Sequence, residues 1–195
     1  MCGRYYIDED TAIELGKIIE ELDRKHQIGK IKAGDVFPSN EVKILTSHEN
    51  HWEFSDATWG FPKYKDKGLI INARAETALE KKPFREALLK RRCIVPAKGF
   101  YEWDASKNKF CFTNEDESIL FMAGIIERYE TTSRFVILTT NANASMLRIH
   151  DRMPLILSQE QIKPWIFDQT KTNEILKSTP PLLTGFAQIE QLSLW

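Results

Sequence analysis

The chain has 195 residues, 42% of them hydrophobic and 11% aromatic, enough to bury a core and too apolar for a disordered segment. Lys and Arg number 27 against 28 for Asp and Glu, a formal charge of −1, so no global basic field favours nucleic acid and any such attraction needs a local cluster of cations. Neither metal spacing nor disulfide density links Cys2, Cys93 and Cys111, no run reaches the roughly 18–20 apolar residues of a membrane span, and no basic-then-apolar leader opens the chain, so a cytoplasmic protein is expected, with no membrane association, metal or cofactor.

In chain order, Ile13, Ile18, Ile19 and Leu22 recur near helical spacing behind the plausible caps Asp8 and Asp10, which predicts an amphipathic helix over Thr11 to Lys25. A charged loop leads to Pro38. Trp52 to Phe61 and the run Leu69, Ile70, Ile71 read as strands, and Pro83 opens a short helix through Leu89. A β-rich block follows: Cys93 to Val95, Phe100 to Trp103, Lys109 to Thr113, Ile119 to Ile126 and Arg134 to Leu138, with a turn at Ser106 to Asn108. Helical character returns at Gln159 to Asp168 and Thr172 to Lys177, and Pro180 and Pro181 stop the second of these. The fold class is α+β: a β-rich curled sheet or barrel-like core with flanking helices, as a single domain over residues 1–195.

Cys2 carries the most chemistry. Once Met1 is removed it presents an α-amine and a thiol on adjacent carbons, and the amine, with a reference pKa of about 7.7–8.0 against 10.4 for lysine, is unprotonated a few hundredfold more often at neutral pH. Such an amine attacks an aldehyde, and addition of the neighbouring thiol to the imine closes a five-membered thiazolidine without metal or cofactor. A retained Met1 would acylate the amine and block this.

Five separated segments keep Cys2 company: Met1-Cys2-Gly3-Arg4, Asn72-Ala73-Arg74-Ala75-Glu76, Pro96-Ala97-Lys98-Gly99-Phe100-Tyr101-Glu102-Trp103, Thr139-Thr140-Asn141-Ala142-Asn143, and Ile149-His150-Asp151-Arg152-Met153-Pro154. Singly, each has a bland reading: Gly99 a turn, Glu102 a surface carboxylate, Asp151 and Arg152 a surface pair worth under about 1 kcal/mol. In this order they resemble the SOS-response-associated peptidase (SRAP) family of abasic-site processing proteins, from residue 1 to about 157 and weakly beyond Ser158.

The resemblance implies a sensor of abasic sites in single-stranded DNA that crosslinks itself to the lesion through the N-terminal cysteine, with removal of its own Met1, and with lyase activity chemically available at the imine. It implies that Asn72 holds the amine and sugar end of the adduct, that Glu102 handles protons around ring opening and imine formation, and that His150 sits beside the sugar hydroxyl. Alternation along the strand puts Tyr101 and Trp103 on the face opposite Glu102. Arg4 and Arg74 resemble the family's phosphate contacts. Trp59, Phe61 and Trp103 are candidates to stack on or wedge against bases, with core packing an equal alternative for Trp103, and Pro38 and Asn40 extend the groove. Acidic Glu20, Glu21, Glu115, Asp116 and Glu117 are expected to face away, and His26, His48 and His51 to be solvated.

Two departures stand out. Trp59-Gly60-Phe61-Pro62 is one residue shorter than the family's usual run, and Asp104 stands where a basic residue commonly follows Glu-Trp. The implied partner is single-stranded DNA with abasic sites, with replication-fork and nucleoid association open and a monomer expected. The alternatives are an N-terminal-nucleophile glutamine amidotransferase domain, a cysteine peptidase using Cys2 and His150, and a structural β-rich module that leaves Cys2 idle.

Overall fold

Apolar residues alternate along five segments so that each contributes to two opposite layers. Ile44, Ala57, Trp59, Cys93, Val95, Met122, Phe135 and Ile137 fall in one buried cluster, while Leu45, Phe54, Ile94, Ala123, Val136 and Leu138 fall in another. The computed structural model, which describes residues 2–22, 31–116 and 118–188 but not the side chains of 19–22, shows why.

The elements run β1 (Tyr5–Ile7), α1 (Glu9–Leu22), β2 (Gly34–Val36), β3 (Glu41–His48), β4 (His51–Trp59), β5 (Phe61–Pro62), β6 (Leu69–Ile70), β7 (Asn72–Arg74), α2 (Ala75–Ala78) and α3 (Lys82–Lys90). They continue with β8 (Arg92–Ala97), β9 (Gly99–Trp103), β10 (Lys109–Asn114), β11 (Leu120–Tyr129), β12 (Thr132–Asn141), β13 (Arg152–Pro154), α4 (Gln159–Phe167), α5 (Thr172–Leu176) and β14 (Leu183–Ala187). Strands β11, β8, β3, β4 and β12 are hydrogen-bonded in that order, and β12 returns to β11, which closes a five-stranded barrel. Where β4 ends at Trp59, β7 takes over the same edge of β12, pairing Asn72 with Ile137 and Arg74 with Thr139. A second antiparallel sheet, in the order β2, β1, β9, β10, β14, packs Tyr5, Ile7, Phe100 and Phe112 onto one apolar cluster. Helices α2 to α5 cover the other with Ala78, Phe84, Leu88, Trp165, Ile175 and Leu176.

Several buried polar groups pair across these layers. Trp59 Nε1 donates to Ile71 O and Trp165 Nε1 to Cys93 O, each at 2.9 Å. The buried Arg92 donates to the carbonyls of Leu88 and Leu89 near the end of α3 and of Trp165 and Ile166 near the end of α4, satisfying carbonyls that helix ends leave open.

Several expectations shift. Helix α1 starts at Glu9, behind Asp8, whose Oδ1 accepts the Thr11 N–H; Lys25, His26, Glu117 and the side chains of Ile19, Glu20, Glu21 and Leu22 lie outside the described residues. Strand β2 lies within the expected charged loop, and β3, β7, β13 and β14 fall where no strand is expected. The expected strand from Trp52 to Phe61 is cut at Gly60, whose φ of +110° bends the chain and where a Cβ would meet the Leu69 side chain at 2.9 Å. Gly99 makes no such turn: a side chain there would strike Phe112 O at 2.6 Å, so it lets β9 lie close against its neighbours. His48, His51, Glu115 and Asp116 are exposed, as expected.

Candidate active site at Cys2

Pairing of β1 with β9 carries the N-terminal segment to Glu102. Tyr5 faces Phe100, Tyr6 faces Gly99, and the Tyr101 N–H donates to Arg4 O at 2.9 Å, extending the ladder beyond the strand. Cys2 is fully buried and its thiol approaches Arg4 O at 3.8 Å. Asn72, at the start of β7, donates from Nδ2 to Cys2 O at 2.8 Å, and its buried Oδ1 accepts no hydrogen bond among the described residues. Alternation along β9 puts Glu102 in phase with Phe100, on the buried side; it is 4% exposed, so its surface reading is replaced. Burial first, then the nearby Glu102 carboxylate, push the Cys2 thiol well above its ordinary value, so Sγ keeps its proton at neutral pH.

His150 ends the turn between β12 and β13, whose Met146 and Ile149 join the apolar cluster that contains Cys2. The Arg152 N–H donates to His150 Nδ1 at 2.9 Å, which leaves the proton of the neutral ring on Nε2, and Asp151 Oδ1, 3.0 Å from Nδ1, attracts the ring only when it is protonated. Arg152 itself turns inward instead of forming a surface pair with Asp151. Its guanidinium binds both Glu76 oxygens, at 2.6 and 2.9 Å, together with Asn141 Oδ1 and Thr139 O. Two motifs are thereby stapled together: the one presenting Asn72 and the one presenting His150.

That staple has a pH signature. Hydrogen bonding to Arg152 holds the Glu76 carboxyl below its ordinary value, so the pair contributes stability above the unfolded-state pKa of about 4.3 and loses it as pH falls through the lower folded value. Glu76 is 39% exposed in its side chain and Arg152 only 10%, which places the loss in Glu76→Gln between a surface and a buried pair, about 1–3 kcal/mol. Urea denaturation of both proteins should show that gap at pH 7 and a shrinking one below about pH 4; a gap that persists in acid would remove the ion pair as its cause.

On the outer face of β9, Arg4 lies 4.5 Å from the Phe37 ring centroid, 5.4 Å from Trp103 and 5.9 Å from Tyr101, and 3.7 Å from Asp35 Oδ2. Lys109 sits 3.9 Å over Tyr101, and Trp103, Lys107, Lys109 and Gln188 line a cleft of about 460 Å³. Arg74 is exposed and Trp103 half-buried. Trp59 and Phe61 are buried in the core and present no face to a base, because Trp59 packs on Tyr5 and Phe135 and Phe61 on Phe84 and Tyr129. Asp104 is a turn-former: its carboxylate accepts the backbone N–H groups of Ser106 and Asn108. No sequence pattern marks Phe37, Asp35 or the pairing of Glu76 with Arg152, although Glu76 and Arg152 lie inside the motifs quoted above.

Among the described residues, no group of three His, Cys, Asp or Glu side chains could hold a metal ion, and no helix is long and apolar enough to cross a membrane.

Barrel, covering helices and a cysteine centre assembled from three distant segments define an α+β protein with its candidate chemistry at the N-terminus. The chain belongs to the SOS response associated peptidase (SRAP) family, whose model matches residues 1–192, well past Ser158 where the quoted motifs give out. It is 33% identical over 195 aligned positions to the abasic site processing protein YoaM of Bacillus subtilis, covering 91% of this chain and 84% of that one. To the abasic site processing protein YedK of Escherichia coli it is 30% identical, covering 89% and 83%. A solved protein from Bordetella bronchiseptica superposes with a TM-score of 0.78 over 97% of this chain and all of that one, at 24% identity, a likeness of fold.

Proposed function

We propose that the chain senses abasic sites in single-stranded DNA and traps them covalently through Cys2 once Met1 has been removed. The observation that carries this reading is the convergence on Cys2 of an amide bonded to its carbonyl and a buried carboxylate near its thiol, from segments 70 and 100 residues away, in a family whose curated relatives are named for abasic-site processing.

The ring-opened lesion offers an aldehyde. The Cys2 amine adds to its carbon to give a carbinolamine, the Glu102 carboxylate takes the proton that the nitrogen gives up and passes it to the departing hydroxyl, and water leaves as the imine forms. Sγ then adds to the same carbon while its proton passes to nitrogen, closing the thiazolidine. One C–N and one C–S bond form and one water is lost. Asn72 fixes the Cys2 carbonyl, and its Oδ1 accepts from the amine or the sugar hydroxyl. His150 shuttles a proton at the sugar, and Arg4 and Arg74 take phosphates. Met1 is removed by the chain itself or by an aminopeptidase, and the imine acidifies the adjacent sugar proton, which opens a lyase branch. A peptidase acting on other proteins fits less well, because a cysteine protease attacks as thiolate and this thiol is held protonated.

Intact mass spectrometry tests the reading. The purified protein should lack one methionine, and incubation with a single strand carrying one abasic site should give a species equal to protein plus DNA minus one water. An undamaged strand should give none. A Met1-free protein that forms no such species would sink the proposal.

A further inference from the structure

Phe37 is 40% exposed, yet it is held more firmly than a surface phenylalanine needs to be. Phe37 O accepts the Asn40 N–H at 3.0 Å and the Phe37 N–H reaches Asn40 Oδ1 at 2.9 Å, closing a turn with Pro38 second and Ser39 third, at φ +75°. Two further backbone bonds, Ser39 N–H to Trp59 O at 2.9 Å and Trp59 N–H to Asn40 O at 3.0 Å, fasten that turn to the end of β4, whose Trp59 is anchored in the core. Pro38 and Asn40 thus build the mount on which Phe37 stands. Beneath the ring lies the Arg4 guanidinium, which also contacts Trp103, with Lys109 beyond it on Tyr101.

A rigid, partly exposed aromatic ring on a cation, flanked by further cations, suits a flat π-surface joined to a negative backbone. Arg4 is two residues from Cys2, at most about 7 Å along the backbone, so such a ligand lies next to whatever Cys2 holds. We infer that Phe37 is a stacking subsite for the nucleobase adjacent to the abasic sugar, while the Arg4 edge, now 3.7 Å from Asp35, takes the neighbouring phosphate. The inference rests on the reading of Cys2 as an abasic-site trap and adds the part of the substrate that is not the lesion. It also predicts a context effect, since purines stack over more area than pyrimidines.

The test uses single strands with one tetrahydrofuran abasic analogue, which has no aldehyde and reports binding alone. Fluorescence anisotropy with adenine on both sides should show Phe37→Ala weakened by about 5- to 150-fold, the value of one base–aromatic stack, with Phe37→Trp retaining affinity and Phe37→Leu between them. On a strand whose flanking positions are also abasic, wild type and Phe37→Ala should bind alike. A 2-aminopurine placed beside the analogue, on one side or the other, should be quenched by wild type and not by Phe37→Ala. Equal binding of the adenine-flanked strand, or an equal loss on the baseless strand, overturns the subsite. If wild type forms its adduct on a true abasic strand while Phe37→Ala behaves as wild type, the subsite alone falls; if wild type neither binds nor reacts, the reading of Cys2 falls and the subsite with it.

Discussion

Cys2→Ala protein, freed of Met1, should yield no denaturant-resistant adduct with an abasic single strand unless borohydride is present. Alanine keeps the α-amine, so an imine still forms, but without Sγ nothing closes on the imine carbon and hydrolysis returns both partners. Reduction by borohydride converts the imine to a stable amine and rescues the crosslink. Gel electrophoresis under denaturing conditions, with and without reductant, separates the two species. A Cys2→Ala adduct as abundant and durable as that of wild type, without borohydride, would eliminate the thiazolidine and leave an amine-only mechanism. The substitution removes one buried sulfur beside Tyr5 in a large apolar cluster, so the fold should survive it.

Glu102→Gln is expected to slow adduct formation by about a hundredfold to ten-thousandfold, the span of general acid–base catalysis, with His150→Ala in the same range or affecting reversal. Glutamine matches glutamate in shape, so a buried side chain 4% exposed is replaced without a cavity and the loss belongs to proton transfer. In a pH profile of the single-turnover rate, each variant should lose one limb that wild type shows. Binding of the non-reactive analogue should not change. Unchanged rates and profiles in folded variants would leave Cys2 and Asn72 as the whole of the chemistry.

Much of this architecture was legible in the chain, for a physical reason. Segments 93–95, 119–126 and 134–138 alternate or run apolar because both faces of a barrel strand are buried, and the structure puts barrel strands at all three. Strand β3 carries the period-two alternation of a half-buried strand at Glu41, Val42, Lys43 and Ile44, whereas β14 is obscured because four of its five residues are exposed. At the site, alternation around Tyr101 and Trp103 placed Glu102 on the opposite face from the rings. Composition could not separate Trp59 from Trp103: both are tryptophans near a glycine-bearing motif, and only three-dimensional packing buries the first and leaves the second under Arg4. Nor could spacing reveal that Arg152 turns from its neighbour Asp151 to a carboxylate 76 positions away.

A protein that traps a lesion once, as proposed for this chain, must keep its reagent unspent until the lesion arrives. Oxidants and alkylating metabolites consume thiolates far faster than thiols. The packing around Sγ and the negative charge of Glu102 both favour the protonated form, so the thiol rests in the state least open to oxidation and alkylation. In the proposed mechanism the amine, whose reaction with an aldehyde is reversible, makes the first commitment, and the sulfur joins only after the imine has placed its target one ring-closure away. Shelf life and selectivity then come from the same burial.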